Sequence, residues 1–332
     1  MKALRRILLW AALLVLVAGA AAVWWVSRPI PLPAPTVDLS IEPGRTPRGV
    51  ADDVAKTGAQ VDANLLYWWF RLSGQDRLIR AGSYELDAGI TPRRLLAKLV
   101  RGDEAMRALV LVEGWNWRQV RAALGKAEQL RPDIASMDDA AVMTALGRPG
   151  VAPEGHFFPD TYTYSKGSAD LDVLRRAMRA MDNHLEAAWG LRRPDTPLKS
   201  PADLLTLASI VEKETGRPDD RGLIAGVFTN RLKVNMPLQT DPTVIYGMGA
   251  AFDGNLRKRD LQTDTPWNTY MRNGLPPTPI AMPGRAALLA AVQPQTTDAL
   301  YFVSRGDGTS HFSASLDEHN RAVNQYQRRA NK

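Results

Sequence analysis

The run Leu204-Leu205-Thr206-Leu207-Ala208-Ser209-Ile210-Val211-Glu212-Lys213-Glu214-Thr215-Gly216 sets two carboxylates at the end of an apolar stretch. Wound as a helix at about 100° per residue, Glu212 falls within roughly 20–40° of Leu205 and Ala208, on the apolar stripe. Glu214 falls about 200° away, beside Lys213, on the face this pattern assigns to solvent. A carboxyl on an apolar stripe loses hydration, which raises its pKa and holds its proton near neutrality. A general acid needs that state, and protonating a glycosidic oxygen is one use of it. The competing reading is a helix-end glutamate that reaches water and does no chemistry.

A dense polar and aromatic tract follows. Asn230-Arg231-Leu232 leads to Gln239-Thr240-Asp241-Pro242-Thr243-Val244-Ile245-Tyr246-Gly247, then to Asn268-Thr269-Tyr270 and Gly274-Leu275-Pro276-Pro277. Amides, hydroxyls and aromatic faces are the usual means of gripping a neutral sugar, although each residue also has an ordinary structural use in a loop. Asn230 and Arg231 suit an anchor for a substrate carboxylate, or equally an ion pair with Glu214. Upstream, Glu154-Gly155-His156-Phe157-Phe158-Pro159-Asp160-Thr161-Tyr162 adds two more acids. Glu154, beside glycine and aromatics, is the substrate-facing candidate. Asp160 suits an Asx turn, and Asp241, held extended by Pro242, suits orienting its own loop.

Together, Ile-Val-Glu-Lys-Glu-Thr, Gln-Thr-Asp-Pro-Thr-Val-Ile-Tyr-Gly, Asn-Thr-Tyr and Gly-Leu-Pro-Pro resemble the YceG-like family, whose members are endolytic murein transglycosylases. The likeness is dense from Glu154 to Tyr326. Two positions depart from the family pattern: Trp267 where Tyr is expected, and Thr278 where Gly is expected. The resemblance implies a lyase that cuts the bond between N-acetylmuramic acid and N-acetylglucosamine within peptidoglycan strands and leaves 1,6-anhydro ends. In such a reaction one carboxyl suffices, here assigned to Glu212. Glu154, Gln239, Thr240, Thr243, Tyr246, Asn268 and Tyr270 are the implied substrate-binding residues. A hydrolase would use a second acid, for which Glu154, Asp160, Glu214 and Asp241 are the candidates. A further alternative is a non-enzymatic peptidoglycan-binding scaffold for cell-wall synthases, which are also the expected partners of the enzyme on nascent strands.

Other chemistries have little support. His156, His184, His311 and His319 show no metal-ligand spacing, so neither metal nor cofactor is expected. There is no Gly-x-Ser-x-Gly elbow and no glycine-rich phosphate loop. The absence of cysteine excludes disulfides and thiolate chemistry. The formal charge is +7, of which Lys2, Arg5 and Arg6 supply three. The rest is not clustered with aromatics, and no nucleic-acid partner is expected.

These groups need elements to position them. Ile7–Val26 carries no charge and is long enough to cross a bilayer. The basic residues before it predict a cytoplasmic amino terminus, residues 1–6, with everything beyond the span outside the cytoplasm. Residues 7–26 therefore read as a transmembrane anchor in the cell inner membrane, single-pass, with a periplasmic C-terminal part. A cleaved signal peptide, with Ala18-Gly19-Ala20-Ala21-Ala22 as the cut region, is the competing reading. Residues 27–36 alternate proline and form a semi-rigid spacer. A weak repeat follows: a strand at Val37–Ile41 and a helix opened by Thr46-Pro47-Arg48, then a strand at Ser83–Leu86 and a helix opened by Thr91-Pro92-Arg93. A third echo is Ala108–Val112 with a helix after Gly114. Thr before Pro suits a helix N-cap. These units resemble LysM-like modules, which bind N-acetylglucosamine chains; the alternative is a plain spacer domain. Tyr67-Trp68-Trp69-Phe70 follows Leu65-Leu66 at helical spacing, which favours packing over a sugar platform. Leu171–Trp189 is periodic and amphipathic. The expected fold is α+β: the anchor, residues 37–149 as a LysM-like small domain with a helical connector, and residues 150–332 as a mixed helical and β catalytic domain.

Overall fold

The computed structural model describes residues 2–328. The chain divides into two compact units, Met1–Arg107 with Thr163–Ser168, and Ala108–Tyr162 with Ala169–Lys332. Residues 108–149 thus fold with the second unit, whereas the sequence grouped them with the first. The reason is that Leu109, Leu111, Trp117, Val120 and Leu124 are buried there, so this segment supplies core and is no connector.

The first unit begins with α1 (Lys2–Ser27), whose stretch Arg5–Ser27 is long and apolar enough to cross a membrane. From Arg5 to Trp24 its side chains are exposed; Trp25 is partly buried and Val26 buried. Strands β1 (Thr36–Ile41) and β2 (Gly82–Asp87) pair antiparallel, with Leu39 opposite Tyr84. Helices α2 (Pro47–Lys56), α3 (Ala63–Leu72) and α4 (Pro92–Arg101) complete it. Thr46 and Thr91 cap α2 and α4 through their side chains, each with proline at the first turn, as the repeated Thr-Pro-Arg predicts. Leu66 and Phe70 of α3 enter the core with Leu39, Val54, Leu86 and Leu99, while Trp68 stays exposed.

β3 (Met106–Val110) and β4 (Thr161–Ser165) carry the chain between the units. The second unit contains α5 (Trp117–Lys126), α6 (Asp139–Ala145), α7 (Asp170–Gly190), α8 (Pro201–Glu214), α9 (Arg221–Lys233), α10 (Asp241–Met248), α11 (Lys258–Leu261), α12 (Arg285–Val292), a hairpin of β5 (Tyr301–Ser304) and β6 (Ser310–Ser313), and α13 (Leu316–Val323). α8 opens on the Ser200 cap with Pro201 in its first turn, and every residue from Leu204 to Val211 is buried. A helix apolar on all sides is a core helix. It packs with α7, α9 and α12 through Leu207, Ile210, Phe228, Leu288 and Val292. The wheel argument assumed one wet face, and α8 has none in its middle. Glu212 and Glu214 sit where this buried helix ends.

Candidate active site

Glu212 and Glu214 leave the end of α8 toward different partners. Glu212 is half-buried, and its Oε2 accepts the Gly284 N–H at 3.0 Å. Gly284 is the cap residue of α12, so this carboxyl joins the end of one core helix to the start of another. Burial pushes the Glu212 carboxyl up, the Gly284 N–H pulls it down, and a nearby Glu113 charge pushes it up again. Glu113 lies over Gly284: a Cβ built there would fall 1.8 Å from Glu113 Oε1. The nearest oxygens of the two carboxyls are therefore within about 7 Å of each other. The segment carrying Glu113 is fixed by Gly114 N–H donating to Met282 O at 2.9 Å, Met282 N–H donating to Trp115 O at 2.7 Å and Lys213 Nζ donating to Gly114 O at 3.3 Å.

Glu214 is half-buried rather than on a solvent face, which corrects the helical-wheel assignment. Its Oε1 accepts a hydrogen bond from the Thr240 hydroxyl. Burial pushes its carboxyl up; the Thr240 hydroxyl lowers it, the Asp241 charge raises it and the Arg231 charge lowers it. The surrounding tract is built on itself. Thr240 N–H donates to Thr269 Oγ1 at 3.1 Å, Thr243 Oγ1 donates to Thr240 O at 2.7 Å and lies 2.8 Å from Thr269 Oγ1. The Tyr270 hydroxyl donates to Asp241 at 2.6 Å. Gln239, exposed, holds a left-handed backbone (φ 48°) that costs a non-glycine residue about 1–2 kcal/mol. It is fixed there by its N–H donating to Thr269 O at 3.0 Å.

Glu154 forms a third centre. It is buried at 4% exposure. The backbone N–H of Trp117 lies 3.1 Å from both of its oxygens, and the Tyr246 hydroxyl lies beside it. Burial pushes this carboxyl up to about 7, against those donors and the Arg118 charge. Expected to face a substrate, Glu154 is enclosed by protein here. Tyr246 meets the Trp267 ring edge-on at 5.5 Å and is also within hydrogen-bonding reach of Thr278. Trp267 Nε1 donates to Thr278 Oγ1 at 2.9 Å. The two departures from the family pattern thus touch each other.

Several other expectations are revised. Asn268 has no exposed surface; its amide donates to the carbonyls of Asp260, Leu261 and Thr263, and its Oδ1 accepts the Tyr270 N–H. Thr240 and Thr243 are also buried, at 1% and 0%. These three side chains shape the loops, while Gln239 is exposed and Tyr246 and Tyr270 are partly so. Asn230 donates to Thr297 O and Ala299 O. Arg231 donates to the carbonyls of Leu300, Pro237 and Leu238, so neither residue is an anchor for a substrate carboxylate. Asp160 accepts its neighbour's N–H at 2.7 Å, a local turn.

Sequence reasoning missed Glu113, Gly284 and Trp117. A signal existed for the first and last: Glu113-Gly114-Trp115-Asn116-Trp117 joins an acid, a glycine and a helix cap before α5. Gly284 carried none, because its importance is the space its missing Cβ leaves for Glu113.

Known proteins match most of this chain. The model of the YceG-like family matches residues 39–325. An endolytic murein transglycosylase of Bacillus subtilis is 32% identical over 308 residues, covering 88% of this chain and 85% of the relative. An endolytic murein transglycosylase of Streptococcus pneumoniae is 26% identical over 323 residues; the match covers 86% of this chain and only 58% of that longer protein. The crystal structure of a YceG-like protein from Listeria monocytogenes superposes with a TM-score of 0.55 at 28% identity, covering 86% of this chain and 98% of that one.

Proposed function

The chain belongs to the YceG-like family, and from that premise we propose that it is an endolytic peptidoglycan lytic transglycosylase whose proton-carrying group is Glu214. The observation that carries the choice of residue is the gathering of the polar tract around Glu214, with Thr240 bonded to its carboxyl and Asp241, Tyr270 and Arg231 around it. Glu212 is the second reading. Its own pKa is raised and Glu113 lies close, but its oxygen is held by the N–H of Gly284, the cap residue of α12, and a helix N-terminus favours the carboxylate over the acid.

The chemistry asks one carboxyl to work twice. As the acid, it gives its proton to the oxygen bridging N-acetylmuramic acid and N-acetylglucosamine. The C1–O electron pair leaves with that oxygen, and positive charge develops at C1. As the carboxylate, it then takes the proton from the muramic-acid 6-hydroxyl, whose oxygen closes onto C1. The proton count returns to its start and no water is consumed. Desolvation of Glu214 supports the acid form at the outset. Gln239, Tyr246 and Tyr270 are the side chains proposed to touch the sugars.

α1 fits a single-pass anchor that holds the enzyme at the inner membrane with the second unit in the periplasm, near nascent strands and the synthases that make them. The first unit, with its repeated strand–turn–helix elements, is proposed to add glycan affinity as a LysM-like module.

Glu214→Gln and Glu212→Gln test the assignment on purified sacculi, with the released ends weighed, because anhydro and reducing ends differ by one water. The expected result is anhydro ends from the wild type and a loss of about 10²–10⁴-fold for Glu214→Gln. Loss confined to Glu212→Gln would transfer the role to Glu212. Reducing ends would make the protein a muramidase, and wild-type release by both variants would leave a binding scaffold.

A further inference from the structure

We propose that Glu154 is a positioning residue for this reaction: with Tyr246 it latches α10, and through α10 it sets the hydroxyl that Thr240 presents to the catalytic carboxyl. The inference rests on the reading of Glu214 as that carboxyl. Its basis is a continuous set of bonds. Glu154 grips the first N–H of α5 with both oxygens, and α5 is itself fixed, with the Trp117 indole donating to Asp139 at 2.7 Å and its ring stacked on Phe157 at 5.1 Å. From this fixed point Glu154 reaches Tyr246, near the end of α10. Thr240 is the residue before Asp241, at the other end of the same eight-residue helix, and its hydroxyl bonds Glu214. A short helix moves as a rod, so a shift at Tyr246 is passed to Thr240. Glu154 itself is sealed at 4% exposure.

The latch is sensitive to a proton. The groups facing Glu154 are the Trp117 N–H, the Tyr246 hydroxyl, the Gly155 N–H and, more distantly, Arg118. All favour its carboxylate, while burial opposes it and brings the balance to about 7. As the carboxylate, Glu154 accepts from both Trp117 and Tyr246. Once protonated it keeps one acceptor oxygen but loses the negative charge that strengthens both bonds. The carboxylate is the form that holds α10 in register, so activity should fall on the acid side as Glu154 takes up its proton. Glu154→Gln copies the protonated form at every pH.

The test uses the full chain in detergent with sacculi as substrate, comparing wild type, Glu154→Gln, Tyr246→Phe and Glu214→Gln from about pH 5 to about pH 8.5. A misplacement of this kind is expected to lower kcat on the order of tenfold while leaving KM within about twofold. Glu154→Gln should show that loss at about pH 8 and lack the acid-side fall that the wild type shows near pH 7. Tyr246→Phe, which removes one oxygen and keeps the ring, should show the same kcat loss, and the double variant should be no worse than either single one. A merely structural role would lower thermal stability without erasing the acid-side fall. Persistence of that fall in Glu154→Gln, or wild-type kcat in Tyr246→Phe, overturns the proposal; if Glu154→Gln does not fold, Tyr246→Phe decides by a lowered kcat at unchanged KM, and a raised KM there would mark a lost sugar contact instead and overturn the positioning role. Activity surviving in Glu214→Gln would sink the reading on which the proposal rests; an inactive Glu214→Gln beside normal Glu154→Gln and Tyr246→Phe would sink the positioning role alone.

Discussion

Glu154 also makes a quantitative statement about stability. Its carboxyl is raised from 4.5 to about 7 in the folded protein, chiefly by burial. A raised acid binds its proton more tightly when folded than when unfolded, so folding is favoured below the unfolded value and loses that advantage as pH climbs through the window from about 4.5 to about 7. At about 1.4 kcal/mol per unit the whole window is worth about 3 kcal/mol, of which about 2–3 kcal/mol falls between pH 5 and pH 8. No discount for solvent screening applies, since the residue is 4% exposed. Glu154→Gln removes the titration and keeps the size of the side chain. Urea unfolding followed by tryptophan fluorescence at those two pH values gives four stabilities. The wild type should lose about 2–3 kcal/mol more than the variant on going from pH 5 to pH 8. Taking the difference of differences cancels every other group whose titration the substitution leaves alone. An equal loss in both proteins would mean that Glu154 is ionised in the folded state at ordinary carboxylate pH, and the account of burial given for it would be wrong.

Three further outcomes follow from the loops. Asn268→Ala strips three carbonyls of their donor in a site with no exposure, which should cost about 2–3 kcal/mol in a thermal melt while leaving KM nearly unchanged, since the amide meets loop and not sugar. Gly155→Ala forces a side chain onto φ +84° and 2.5 Å from the Pro279 Cβ; a cost of at least about 1–2 kcal/mol should appear as a lower melting temperature. Thr278→Gly leaves the Trp267 indole without its acceptor, and the double change Trp267→Tyr with Thr278→Gly should recover part of that loss, with a coupling of about 0.5–1.5 kcal/mol measured in a double-mutant cycle.

Local rules were legible in the chain because they are local. The caps Thr46 and Thr91, the prolines after them, and the amphipathic α7 each depend on residues within a turn or two. Helix α8 was legible as a helix, yet not in its surroundings. Whether a helix has one dry face or is dry all round depends on what packs against it, and here α7, α9 and α12 enclose it. That single unknown misplaced Glu214. Polar residues were misread for a related reason. Asn268 and Arg231 have the chemistry to grip a ligand, and the fold uses it on backbone carbonyls that would otherwise be buried without donors. Glu154 and Trp117 lie 37 residues apart and meet only through the tertiary fold.

Glu212 and Glu214 leave the same helix end, and the proposed assignment gives the proton transfers to the second alone. Both are raised by burial, so desolvation alone does not separate them. What separates them is the donor each one meets. Glu212 meets a backbone N–H at the start of α12, a fixed dipole that cannot turn away and that rewards negative charge. Glu214 meets a hydroxyl, which donates to a carboxylate and can equally accept from a carboxylic acid by rotating one bond. A group that must be acid in one step and base in the next needs a neighbour able to serve both forms. Thr240→Val therefore should slow the reaction with Glu214 still in place. Removing the rotor costs both steps, so single-turnover bond cleavage and anhydro-ring closure should both fall, whereas Thr240→Ser, which keeps the hydroxyl, should restore much of the rate. Equal rates for the valine and serine variants would show that the hydroxyl is only packing.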